Sequence, residues 1–210
     1  MPLFYQQNIN EHTRLGVWHI QENESFFLES VPLQREITHP HKRLQHLAGR
    51  FLLRFLYEDF PLDLIRIADT RKPFLENELF HFSISHSGDY AAVIVSKYQR
   101  VGIDVECHTP NVLKVMKKFL RNDEVHLLEK RRKMIPYAYE TLMWSIKESL
   151  FKWHGDGGVD FLQDLHIISI QGEINGTAAC KFTGKLNQDL LVEYQIQKDH
   201  CLTWVCSDIL

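Results

Sequence analysis

Two long segments of the chain repeat apolar residues at helical spacing, and each lies among short apolar runs of strand character. In "HKRLQHLAGRFLLRFLYEDF" (41–60), Leu44, Leu47, Phe51, Leu52 and Phe55 share one side, with basic residues on the others. In "AYETLMWSIKESLFKW" (138–153), Leu142, Ile146, Leu150 and Trp153 do the same. An apolar stripe on a helix must be buried against a second layer, and the neighbouring strands supply it. Strand-like runs stand at 15–20, 80–85, 90–96 and 101–106, then at "LHIISI", "CKFTG", "LLVEYQIQ" and "CLTWVCS" after the second helix. "HSGD" reads as a hairpin turn between the second and third runs, so an antiparallel meander is predicted there. Shorter helical patterns cover 111–120 and 122–133. The predicted class is α+β: two similar lobes packed together, 1–100 and 101–210, each with a long helix and about three strands.

The 210 residues, 44% of them apolar, suffice to bury a core as one large or two small domains, and the composition excludes disorder. A net charge of −3 excludes a surface that is cationic throughout, so any basic site must be local. No basic tract interleaved with aromatics marks a nucleic-acid groove. Cys107, Cys180, Cys201 and Cys206 form no CxxC pair, which argues against a disulfide framework and a zinc ribbon. The start, "MPLFYQQNINEHTRLG", has no basic stretch followed by an apolar core, and no apolar run is long enough to span a bilayer. No membrane association is predicted, and the expected location is cytoplasmic. None of the twelve histidines stands in an HExxH arrangement, so a histidine-bound metal is not expected.

"VGIDVE" (101–106) poses a sharper question. Residues two apart on a strand point to the same face, so Asp104 and Glu106 look into one place, where their charges repel unless a cation lies between them. A hard divalent cation fits. In the helix at 138–153, Trp144, Glu148 and Lys152 form an i, i+4, i+8 stripe roughly opposite the apolar one. Glu148 and Lys152 alone read as a surface ion pair. Trp144 on the same stripe points instead to a face covered by the other lobe or by a ligand. If Glu148 joins Asp104 and Glu106, three carboxylates form a ligand set suited to Mg²⁺, leaving Lys152 for an anionic group and Lys147 to pack or pair elsewhere.

A second polar cluster lies upstream. "RKPFL" (71–75) offers Arg71 and Lys72 in a turn-like segment before a strand, and Ser85 and His86 stand where that strand ends. Each piece alone reads equally well as a solvated loop or turn; together they read as a phosphate pocket.

The series "RKPFL", "FSISHSGDYAAV", "VGIDVE" and "WSIKESLFKWHGDG", in that order, resembles the signature set of the 4′-phosphopantetheinyl transferases, specifically the larger, monomeric type that activates peptide and polyketide synthetases. The resemblance runs from about Leu44 to Gly158. It implies an α+β fold of two pseudo-twofold-related lobes, each a long helix on a small, mainly antiparallel sheet, with the site in the cleft between them. The implied reaction moves the phosphopantetheine arm of coenzyme A to a serine hydroxyl of an acyl or peptidyl carrier domain and releases adenosine 3′,5′-bisphosphate. By the match, Asp104, Glu106 and Glu148 are Mg²⁺ ligands, Lys72 and Pro73 line the adenine and phosphates, and Ser85 and His86 hold the 3′-phosphate. Glu148 is the implied general base and Lys152 the cation facing the leaving phosphate. Arg71 can add a two-pronged phosphate grip, and Arg43, Arg50 and Arg35 are further phosphate-contact candidates. Gly158 departs from the bulky apolar residue usual in the family after "KWHGDG", and Glu124 matches an acidic position that equally suits a helix N-terminus.

The carrier domains implied as partners are acidic, so the enzyme must offer a local basic face. Lys114, Lys117, Lys118, Arg121, Lys130, Arg131, Arg132 and Lys133 supply one, or form a solvated, charge-rich helix pair. Two rival readings remain: a Mg²⁺-dependent nuclease, and a module that binds coenzyme A or a carrier without catalysis. A monomer is expected.

Overall fold

A computed structural model describes residues 3–33, 36–131, 135–184 and 186–209. Arg35, Arg132 and Lys133 lie outside the described residues. The chain forms two compact units: one runs to Val101 and takes in the last residues from Asp208, and the other is Gly102–Ser207. The class is α+β, with mainly antiparallel sheets.

The first unit holds a four-stranded sheet in the order β1 (Leu3–Asn10), β2 (Thr13–His19), β6 (Tyr90–Ser96), β5 (His81–Ser87). All three pairings are antiparallel. The long helix α2 (Pro40–Leu56) packs on β2 and β6. Pro40 opens it, where a missing N–H costs nothing, and His39 Nδ1 accepts from Lys42 N. Leu47, Leu52 and Leu53 of α2 are wholly buried against Trp18, Val93 and Val95. Phe27, from the short helix α1 (Glu24–Leu28), completes this core. The two-stranded β3 (Ile65–Ile67) and β4 (Pro73–Leu75) follow α2. Gly88 and Asp89 join β5 to β6, with Gly88 at φ +53, a conformation glycine adopts without strain.

The second unit holds a five-stranded sheet in the order β7 (Gln99–Cys107), β11 (His200–Asp208), β10 (Gln188–Ile196), β9 (Asn175–Phe182), β8 (Leu165–Gly172). Helices α3 (Val112–Phe119), α4 (Asn122–Glu129) and α5 (Ala138–His154) lie between β7 and β8 in the chain. Here the predicted meander fails: "VGIDVE" does not extend the β5–β6 hairpin but pairs with β11. A Cβ at Gly102 would stand 2.1 Å from Ser149 O and 2.7 Å from Trp153 N, so only glycine lets β7 lie this close to α5. Ile103 and Val105 are then fully buried.

Candidate functional site

Helix α5 positions the most suggestive side chains. Leu142, Ile146, Leu150 and Trp153 are all at 0% exposure in a core shared with Phe182, Val192 and Tyr194, as the periodicity predicts. Gly155 stops the helix in the left-handed conformation, φ +80. Trp144, Glu148 and Lys152 lie half-buried on the other side. The Trp144 ring meets Phe119 edge-on at 5.0 Å and stacks on Phe161 at 5.5 Å. Its cover thus includes aromatic rings of its own unit.

Asp104 projects from β7 and is 2% exposed. Its Oδ1 accepts from Lys152 Nζ at 2.6 Å, and its Oδ2 accepts from Ser145 Oγ at 2.7 Å. Ser145 Oγ lies 3.0 Å from Thr203 Oγ1, which donates to Ser145 O at 2.9 Å, so β11 braces the carboxylate through α5. Ser145 and Thr203 escape sequence reasoning. Small hydroxyls carry no periodic signal, and the contact joins residues 58 apart.

Burial pushes the Glu148 carboxyl up to about 7; the negative charges of Asp104 and Glu106 add to this, and Lys152 opposes it. The predicted quartet of Asp104, Glu106, Glu148 and Lys152 therefore shares one electrostatic neighbourhood. Among the described residues, no three of His, Cys, Asp and Glu are arranged as a ready metal-holding group. The surplus of negative charge, and the all-oxygen donor set, nonetheless suit a hard cation better than any soft one.

A cavity of about 220 Å³ is lined by Glu106, Cys107, Val112, Val115, Thr141 and Trp144, among others. The Thr141 hydroxyl is buried with no hydrogen-bond partner among the described residues. Gly158, at φ +66, has no atom within 4 Å of where a Cβ would stand. Space alone would admit a larger residue there, and the backbone conformation disfavours it.

In the first unit, Arg71, Lys72 and Pro73 stand at the β3–β4 turn, which is closed by Ala68 N to Lys72 O (2.9 Å) and Arg71 N to Ala68 O (2.8 Å). Arg71 is exposed at φ +66. Ser85 is buried and His86 exposed at the end of β5. Arg43 donates to Glu24 Oε1 (2.7 Å) and Ile37 O (2.8 Å), and so ties α2 to α1. Arg50 is 7% exposed, with Nη1 3.1 Å from His46 Nδ1.

Of the basic stretch, Lys114, Lys117 and Lys118 are exposed on α3, as is Lys130 just past α4, while Val112 and Phe119 of α3 are buried. Arg131 turns elsewhere: its guanidinium lies over Tyr139 and donates to the carbonyls of Ile170 and Gly172 on β8. Glu124 and Lys147 form a wholly buried ion pair at 2.8 Å. The acid at the start of α4 thus has a partner in α5 that no local pattern reveals.

A family model described as the 4'-phosphopantetheinyl transferase superfamily matches residues 100–205. The chain is 34% identical over 119 residues to enterobactin synthase component D of Salmonella austin, covering 55% of this chain and 49% of that protein. It is 31% identical over 111 residues to 4'-phosphopantetheinyl transferase gsp of Aneurinibacillus migulanus, covering 53% and 46%. To 4'-phosphopantetheinyl transferase Sfp of Bacillus subtilis (strain 168) it is 33% identical over 147 residues, covering 65% of each. The chain spans about half the length of the first two of these relatives.

Proposed function

Because the chain belongs to the 4′-phosphopantetheinyl transferase superfamily, we propose that it transfers the 4′-phosphopantetheine group of coenzyme A to a serine hydroxyl of a carrier protein. The observation that carries this reading is the grouping of Asp104, Glu106 and Lys152 about the Glu148 carboxyl, with Lys152 paired to Asp104 at 2.6 Å. A carboxylate suits removal of the serine proton. In this reading Glu148 takes that proton while the serine oxygen attacks the phosphorus bearing the pantetheine arm. The bond between that phosphorus and the bridging oxygen breaks, and adenosine 3′,5′-bisphosphate leaves with the bridging oxygen. The Lys152 ammonium faces the charge that develops there. Asp104, Glu106 and Glu148 would hold Mg²⁺, whose bound charge supplies further neutralisation at the pyrophosphate.

Lys72, Pro73, Ser85 and His86 are assigned to the nucleotide end of coenzyme A, with Arg71 beside them. Arg43 and Arg50 rank below them, since Arg43 is engaged with Glu24 and Arg50 lies beside His46. The basic outer face of α3 receives the carrier, whose acidic helical surface it complements. The four cysteines are free thiols, in keeping with a reducing, cytoplasmic setting. No described helix is long and apolar enough to cross a membrane. The protein acts as a monomer in this reading.

The test is the mass of an apo acyl carrier protein after incubation with the protein, coenzyme A and Mg²⁺, with Glu148→Gln beside it. A gain of one phosphopantetheine group that vanishes in the variant and with chelator is expected. Unmodified carriers with coenzyme A still bound would favour the non-catalytic module, and absence of coenzyme A binding would sink the reading altogether.

A further inference from the structure

The buried Lys147–Glu124 pair takes no part in the chemistry above, and its hydrogen bonds are unusual in what they reach. Lys147, at 0% exposure, directs Nζ to Glu124 Oε2 (2.8 Å), Phe119 O (2.5 Å) and Phe161 O (2.9 Å). These three acceptors match the three protons of an ammonium. Glu124 Oε2 also accepts from Arg121 N (2.8 Å), and its Oε1 accepts from Ile167 N (2.8 Å). The pair therefore grips both peptide groups flanking Leu120, one through its carbonyl and the other through its N–H. It also grips the peptide preceding Leu162 and the backbone of β8.

Leu120, Arg121 and Leu162 line an open groove of about 1040 Å³, together with Leu113, Met116 and Lys117 of α3. Asp123 also lines the groove and pairs with Arg121 at 3.1 Å; the apolar side chains beside the exposed Lys117 suit an amphipathic, acidic helix. A buried ion pair seldom adds net stability over apolar packing, so its best-attested use is to fix one geometry. Lys147 also precedes Glu148 directly on α5, so one rigid helix carries both the anchor of the groove and the proposed base.

We infer that Lys147 and Glu124 are positioning residues for carrier docking: they hold Leu120, Arg121 and Leu162 in fixed register with Glu148. This rests on the transferase reading. Neither residue touches the reacting atoms. Loss of the pair loosens the groove and leaves the coenzyme A contacts of the first unit untouched.

The experiment is steady-state kinetics with an apo carrier protein and coenzyme A varied in turn, for the wild type, Lys147→Met and Glu124→Gln, with folding checked by circular dichroism. The expected result is a rise of roughly tenfold or more in the KM for carrier, with kcat and the KM for coenzyme A within about twofold. A folded Lys147→Met protein with an unchanged carrier KM would overturn the inference. So would a fall in kcat alone, which marks a catalytic role, or an equal rise in both KM values, which marks general damage. Should neither pair variant fold, the shortened Glu124→Asp, which keeps the charge and shifts the grip, decides: a selective rise in carrier KM supports the inference, and an unchanged one overturns it. A wild-type protein that modifies no carrier removes the transferase reading and this inference with it. Failure of the inference alone leaves the modification intact.

Discussion

Lys152 and Asp104 form an ion pair at 2.6 Å in which the carboxylate is 3% exposed and the lysine 25%. Asp104 is also one of the carboxylates proposed to hold Mg²⁺. Lys152→Met removes the ammonium and leaves a buried carboxylate supported by Ser145. Because the lysine is partly solvated, the expected loss is about 1–3 kcal/mol, below that of a fully buried pair. The loss should shrink when Mg²⁺ is added, since a cation that binds only the folded state restores stability by mass action. Urea denaturation of the variant with and without Mg²⁺ checks this, and a midpoint that Mg²⁺ fails to move would argue against a metal at Asp104.

The raised Glu148 carboxyl makes stability depend on pH. Its folded value of about 7 lies above the ordinary 4.5, so its contribution is fully present below about 4.5 and is lost as pH rises through about 7. The full swing is on the order of 3 kcal/mol in the metal-free protein. Glu148→Gln cannot ionise, so it should be more stable than the wild type at pH 8 and nearly equal to it at pH 4, while transfer activity disappears. Stability that is equal at both pH values would contradict the burial of this carboxyl.

The parts of the fold that the sequence discloses are those with a long local period. The stripe of Leu142, Ile146, Leu150 and Trp153 repeats over several turns, and all four are fully buried. By contrast, β1 (Leu3–Asn10) is a polar edge strand whose residues alternate half-buried and exposed, so "LFYQQNIN" shows little apolar signal. Helix α1, β3 and β4 have five, three and three residues, too few for a period to register. The strand carrying Asp104 is legible, but its pairing with β11 is not, because the partner strand lies far along the chain at His200–Asp208. The site divides the same way. Spacing on one strand and one helix brings Asp104, Glu106, Glu148 and Lys152 to notice. Ser145–Thr203 and Glu124–Lys147 join distant segments and leave no local trace.

Thr141 carries a buried hydroxyl with no partner among the described residues, in the cavity beside Glu106. An unsatisfied buried hydroxyl costs roughly 1–3 kcal/mol, and valine keeps its shape without it. Thr141→Val is therefore expected to raise stability by about 1 kcal/mol in a urea titration at constant slope. An unchanged midpoint would mean that water satisfies the hydroxyl in solution.

Arg71 holds a left-handed backbone, φ +66, at an exposed turn next to Lys72. A bulky residue gains nothing for the fold from this conformation, which costs on the order of 1 kcal/mol, and glycine adopts it freely. Strain kept at a turn beside a second cation is explained if the guanidinium serves a ligand, here the phosphates of the coenzyme A nucleotide. Arg71→Gly should then raise stability by up to about 1 kcal/mol and weaken binding of adenosine 3′,5′-bisphosphate roughly tenfold, the worth of one charge-assisted contact. Its KM for carrier protein should not change. Calorimetric titration with the bisphosphate, alongside thermal unfolding, separates the two effects. A variant that is more stable and binds the nucleotide as tightly as the wild type would show that the strain serves no phosphate contact.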